Sequence, residues 1–142
     1  MWREIAMKFD SGCTFASPAP RSVLAEARTS LGCALPKELA SLWKETNGVM
    51  DEYGNEIVSP IEIATAWNVD FRMRRRFRTL YMPFDHLLFF GALGNGSLAA
   101  YRILDGKIRD QDIYVWNHEN DSRTWVAPDL ERYFDVYFMG AS

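Results

Sequence analysis

Histidine, cysteine and arginine are the side chains through which this chain could do chemistry, and their placement argues against most of it. His86 and His118 are the two histidines, and no cysteine or acidic residue stands at a recurring metal-ligand spacing from either. His118-Glu119 lacks the second histidine one helical turn later that a zinc protease needs. Cys13 and Cys33 are too few for a disulfide framework and read as free thiols. The run Gly91-Ala92-Leu93-Gly94-Asn95-Gly96 has the glycines of a phosphate loop, but it joins two strand-like segments, so no helix N-terminus meets an anion there. Its Asn-Gly pair marks a hairpin turn instead. A hydrolase would need His86 or His118 beside a carboxylate in a closed pocket. No catalytic residue, metal or cofactor is expected.

Charge offers more. Arg72, Arg74, Arg75, Arg76 and Arg78 form a basic run around Phe77. Guanidinium groups bind phosphate and carboxylate bidentately and stack on aromatic faces, so the run reads as a solvated helix end or as a contact for nucleic acid or an acidic partner. A single basic run in a chain of net charge −3 is a weak nucleic-acid signal. Acidic residues gather in predicted loops: Asp51, Glu52 and Glu56; Asp105, Asp110 and Asp112; Glu119 and Asp121. Nothing in the sequence brings two of them to one pocket as acid and base. They read as solvated loop charge or, more sharply, as a docking surface for a basic partner. The candidate partner-binding set is Asp51, Glu52, Tyr53, Glu56, Asn95, Asp110, Asp112, Trp116, His118 and Glu119. Trp43 and Trp67 fall on apolar helix faces and read as core, whereas Trp116, Trp125 and Tyr53 are expected to be partly exposed.

These residues must be held by elements the pattern places in order. The 142 residues, 48% of them hydrophobic, suffice for one core. No apolar run approaches a membrane span, and the start does not read as a secretory signal, so a cytoplasmic protein is expected. Between Ser17 and Gly32, Val23, Leu24, Ala27 and Leu31 recur at helical spacing. Pro36 suits the first position of a second helix with Leu39, Leu42 and Trp43 inward, and Asn47-Gly48 suits its end. Asp51 to Glu56 reads as a turn between two short apolar pairs, a small hairpin or an exposed loop. Ser59-Pro60-Ile61-Glu62 has the form of a capping box opening a third helix that carries Ile61, Ala64 and Trp67 inward. Leu87 to Gly91, Leu98 to Ile103, Ile113 to Asn117 and Arg123 to Val126 then read as antiparallel strands on short turns. Leu130, Tyr133, Phe134, Tyr137 and Phe138 predict a closing helix that lies across the sheet. The expectation is an α+β fold, an antiparallel sheet of about four to six strands with helices packed on one side. Residues 1–17 form an N-terminal extension to a single domain over 18–142.

In this order the local signals resemble a family. "LGCALPKELASLWKETNGVM" resembles the opening motif of the SUKH superfamily, with Gly32, Leu35-Pro36, Leu39 and Asn47-Gly48 at its landmarks. "SPIEIATAWN", "LLFFGALGNGSLAAYRI" and "DIYVWNHENDSRTWVAPDLERYF" are similar to its following elements, so the likeness covers Leu31 to about Phe138. The resemblance implies an α+β binding module. Bacterial members are similar to immunity proteins that neutralise polymorphic toxins, often nucleases, and fungal relatives regulate cell-wall synthesis through protein contacts. A cognate toxin, a basic nuclease, is the partner it implies; an adaptor acting through Arg72 to Arg78 is the alternative. The stretch before Ser17 and the density of arginine in that run depart from the family pattern.

Overall fold

In the computed structural model, which describes residues 1–73 and 84–139, the stretch before Ser17 belongs to the core. Helix α1 (Trp2–Phe9) buries Trp2, Ile5 and Ala6, the i, i+3, i+4 face of an amphipathic helix. Its first N–H groups have no partner within the helix, and Glu45 supplies one, accepting from the N–H of Trp2 at 3.0 Å and of Arg3 at 2.8 Å. The Trp2 indole donates to Ser41 Oγ at 3.1 Å. The first predicted helix is α2 (Arg21–Leu31), which buries Leu24, Ala27 and Leu31 and ends on a left-handed Gly32. Pro36 immediately precedes α3 (Lys37–Glu45), one position earlier than expected, and Leu39, Leu42 and Trp43 are buried.

Two local expectations are corrected beyond α3. The helix ends through an extended Thr46, and Asn47 is not left-handed. The Ser59/Glu62 capping box does not form. Strands β2 (Val49–Met50) and β3 (Glu56–Val58) fold back on each other, which returns Asn47 to the start of helix α4 (Ile61–Met73). Asn47 Oδ1 accepts from the Ile61 N–H at 2.8 Å, and its amide donates to the Glu62 carboxylate at 2.9 Å. The Ser59 N–H instead donates to the Phe90 carbonyl at 2.8 Å, and the Ser59 hydroxyl is buried without a partner among the described residues. A cap supplied across a hairpin ties α4 to the body of the protein. Asn47→Ala is therefore expected to cost about 1–2 kcal/mol, read as a lowered urea midpoint.

The strands sort into two sheets and not one. Strand β1 (Thr14–Phe15) joins β2 and β3 in a small antiparallel sheet; β4 (Leu87–Ala92), β5 (Leu98–Arg102), β6 (Ile113–Asn117) and β7 (Ser122–Ala127) form the predicted meander in sequence order. The Ser59–Phe90 bond joins the end of β3 to β4. Leu88, Phe90, Ala99, Tyr101, Ile113 and Ala127 point into the main core, with the buried faces of α1, α2, α3 and the closing helix α5 (Leu130–Met139). That face matches the one-sided α+β arrangement. The opposite face carries a second, aromatic cluster of Phe84, Leu87, Phe89, Ala100 and Trp116, with Phe71 of α4 packed against it. Trp116, expected to be partly exposed, is 4% exposed because this face is covered too, and its indole donates to Asp121 Oδ1 at 2.7 Å. Trp43 is buried as expected, donating to the Ser59 carbonyl at 2.9 Å, and Trp67 is half-buried. No helix among the described residues is long and apolar enough to cross a membrane.

Candidate functional site

In an antiparallel meander successive turns fall at alternate ends of the sheet. The β4–β5 and β6–β7 turns therefore share one end, and the β5–β6 connection takes the other. The β2–β3 turn joins the first pair. A Cβ built on Gly94 would lie 3.2 Å from the Asn55 amide nitrogen, and one on Gly96 only 2.3 Å from His118 Cε1. Three loops distant in sequence thus stand side by side, carrying Glu52, Tyr53, Glu56, Asn95, His118 and Glu119. The turn after α1 extends the row, since a Cβ on Gly12 would meet Glu52 Cβ at 2.8 Å and Asp10 Oδ1 at 3.1 Å. Asp110 and Asp112 go to the opposite end. There Asp110 pairs with Arg102 at 2.8 Å, and the Arg102 guanidinium lies 5.6 Å from the Tyr114 ring centre.

Each turn at the acidic end is held by one repeated device. An Asp or Asn oxygen accepts the N–H two residues on, replacing a backbone bond and fixing the loop. Asp10 accepts from Gly12 at 2.8 Å, Asp51 from Tyr53 at 2.9 Å, Asn95 from Ser97 at 3.0 Å and Asn117 from Glu119 at 2.9 Å. Loops ordered before contact lose less entropy on binding.

Asp51 belongs to this support and not to the surface. It is 8% exposed, and beyond Tyr53 it accepts from the Asn55 N–H at 2.9 Å, the Asn55 amide at 3.0 Å and the Tyr137 hydroxyl at 2.8 Å. Burial pushes its carboxyl up, but the hydrogen bonds from Tyr137, Asn55 and Tyr53 outweigh that and hold it below its ordinary range. Trp116 is likewise turned inward. Tyr53 projects at 82% exposure, and the Glu52 carboxylate beside its hydroxyl raises that group's pKa. Burial raises the Glu56 carboxyl. Asp10 and Asp121 escaped the candidate set; Asp10 lay in the stretch set aside as an extension, although "DSG" carries the same turn signal as "DEY". Asp121 pairs with Arg123 at 3.0 Å beneath the last turn.

The two histidines lie at opposite ends of the meander, His86 at the start of β4 and His118 after β6. Among the described residues no group of three or more His, Cys, Asp or Glu side chains is placed to hold a metal ion. Cys13 and Cys33 are free. Burial, then the nearby Asp10 and Asp51 carboxylates, pushes the Cys13 thiol up to about 11, far above what a nucleophilic thiolate needs. Of the arginine run, Arg72 turns its guanidinium to the carbonyls of Leu31 at 3.0 Å and Leu87 at 3.3 Å. Arg74, Arg75, Arg76 and Arg78 lie outside the described residues.

A sequence model of one family, described as SUKH_6, SMI1-KNR4 cell-wall, matches residues 22–134. The chain belongs to the SUKH superfamily. Comparison with curated proteins returns no match. The match begins inside α2, and α1, β1 and Asp10 precede it. Within the matched range, Asn47 of the Asn47-Gly48 pair caps α4, and Phe90-Gly91 lies where β3 meets β4.

Proposed function

We propose that this SUKH protein acts by binding and not by catalysis, as a cytoplasmic immunity protein that neutralises a cognate toxin by occluding it. The observation that carries the reading is the convergence of four pre-ordered turns into one acidic face of Asp10, Glu52, Glu56 and Glu119, with Tyr53 projecting from it. Tyrosine supplies rigid contact area with a polar tip, the chemistry of an interface anchor. Acidic groups around it speed encounter with a basic protein and reject acidic ones. A nuclease fits, because a surface that binds phosphates is itself basic. Asn95 and His118 lie between the charges and complete the contact; Asp51 supports it from beneath. Asp110 and Asp112, at the far end, are assigned to local pairing.

Co-expression with the toxin encoded by the adjacent gene tests the function, and growth should be restored. The absence of such a gene, or undiminished toxicity, removes the reading. The face is tested by Glu52→Lys/Tyr53→Ala/Glu119→Lys, expected to weaken toxin binding by about a hundredfold with thermal melting within a few degrees of wild type, since all three side chains are exposed. Undiminished affinity would place the interface elsewhere.

A further inference from the structure

A second surface has the opposite sign. A groove of about 510 Å³ runs between α2 and α3, lined by Ala19, Arg21, Leu24, Ala25, Arg28 and Lys44. Arg21, Leu24, Ala25 and Arg28 recur at i, i+3, i+4 and i+7, so they form one stripe along α2. Leu24 and Ala19 are buried floor, whereas Ala25 and the three cations are exposed. The chain entering α2 is stitched to the end of α3 by the Ala19 N–H to Trp43 carbonyl bond at 2.9 Å, with Asn47 N–H to Ser17 carbonyl at 3.0 Å beyond it. This fixes the wall that carries Lys44 against the α2 stripe. Among the described residues none of the three cations has a carboxylate partner. Nearby acids are used elsewhere: Glu45 accepts from the start of α1, and Glu26 falls on a different side of α2 from Arg21 and Arg28.

Three exposed cations without a carboxylate partner among the described residues thus stand around an apolar floor, in a chain of net charge −3. The geometry points to a docking groove for an acidic peptide segment of a partner protein, one apolar side chain over Leu24 and Ala25 and flanking carboxylates on Arg21, Arg28 and Lys44. The apolar floor distinguishes this from a phosphate-backbone site, which would want more cations and aromatic platforms for bases. None of its residues belongs to the acidic turns, so both surfaces can be occupied at once, and the groove does not depend on the toxin assignment.

The probe is a fluorescein-labelled peptide of Glu, Asp and Leu, titrated by anisotropy against the full chain at low salt. Saturable binding is expected, weakened by salt, by replacing the leucines with serine, and about tenfold or more by Arg21→Glu/Arg28→Glu. Amide shifts on titration should map to Ala19, Leu24, Ala25 and Lys44, and melting of the variant should remain cooperative, separating lost contact from lost fold. Absence of saturable binding, or affinity indifferent to the charge reversal, overturns the proposal. So does a single-stranded oligonucleotide that binds the groove where the acidic peptide does not.

Discussion

Gly91→Ala is expected to remove a large part of this protein's stability, about 3 kcal/mol or more, through a single methyl group. Gly91 lies at the bulge of β4, where the register against β5 shifts, and an added Cβ would sit 2.1 Å from the Ile57 carbonyl oxygen and 3.1 Å from the Tyr133 hydroxyl. The obstacle is backbone, so no rotamer change relieves it. Ile57 is fully buried, and its carbonyl accepts from Tyr133 at 2.9 Å. One residue to the N-terminal side, Phe90 accepts the Ser59 N–H. Separating β3 from β4 to admit the methyl would break both bonds and open the seam between the sheets. Against a typical total of about 5–15 kcal/mol, urea unfolding should show a large midpoint shift or a loss of cooperativity. Gly54→Ala is the matched control. Gly54 lies within the β2–β3 turn and has nothing within 4 Å of the added carbon, leaving only its positive φ, a cost of about 1–2 kcal/mol. Equal midpoints for the two variants would contradict the close approach of β3 to β4.

What could be read from sequence follows the range of the interactions. The meander was legible because its turns carry their own instructions: Asn95 and Asn117 each bind an N–H two residues away, and alternation between them sets the pleat. The helices α2 and α3 were legible from spacing within one element. Helix α1 was not, because its N-terminal acceptor is Glu45, 43 residues from Trp2, and its apolar face is meaningful only against α3 and α5. The same applies to Asn47, whose proper helix is the following one, reached across a hairpin. Within the candidate site, Glu52, Glu56 and Glu119 lie at one end of the sheet and Asp110 and Asp112 at the other; the meander alone puts the β5–β6 connection opposite the β6–β7 turn, whereas the place of the β2–β3 turn depends on how a separate sheet meets the first. Trp116 shares its sheet face with Ala100 and not with the main core; that this face is also packed depends on Phe71 and Phe84, brought over it by the tertiary fold.

Asp51 poses the same problem in charge, and its replacement is the second large effect expected. Asp51→Ala leaves the Tyr53 and Asn55 N–H groups, the Asn55 amide and the Tyr137 hydroxyl without their acceptor, at a cost of about 3 kcal/mol. If the proposed function holds, the substitution should also abolish binding of the cognate toxin, because the turn that presents Glu52 and Tyr53 loses its anchor. Asp51→Asn separates charge from shape. The native carboxyl titrates below its unfolded value near about 3.9, so its ionisation stabilises the fold at neutral pH, and that contribution is lost as the pH falls through the depressed native value. Glu45 has the same sign, held low by the N–H groups of Arg3 and Trp2 against its desolvation. Glu38 and Glu56 are raised by burial and act in the opposite direction, destabilising as they ionise. These contributions are common to wild type and Asp51→Asn and cancel in the difference between them. The stability gap measured by urea should therefore be widest near pH 7 and narrow steadily below pH 4. A gap that stays constant down to pH 2.5 would mean the buried carboxylate acts by shape alone, and the turn it anchors would owe nothing to its charge.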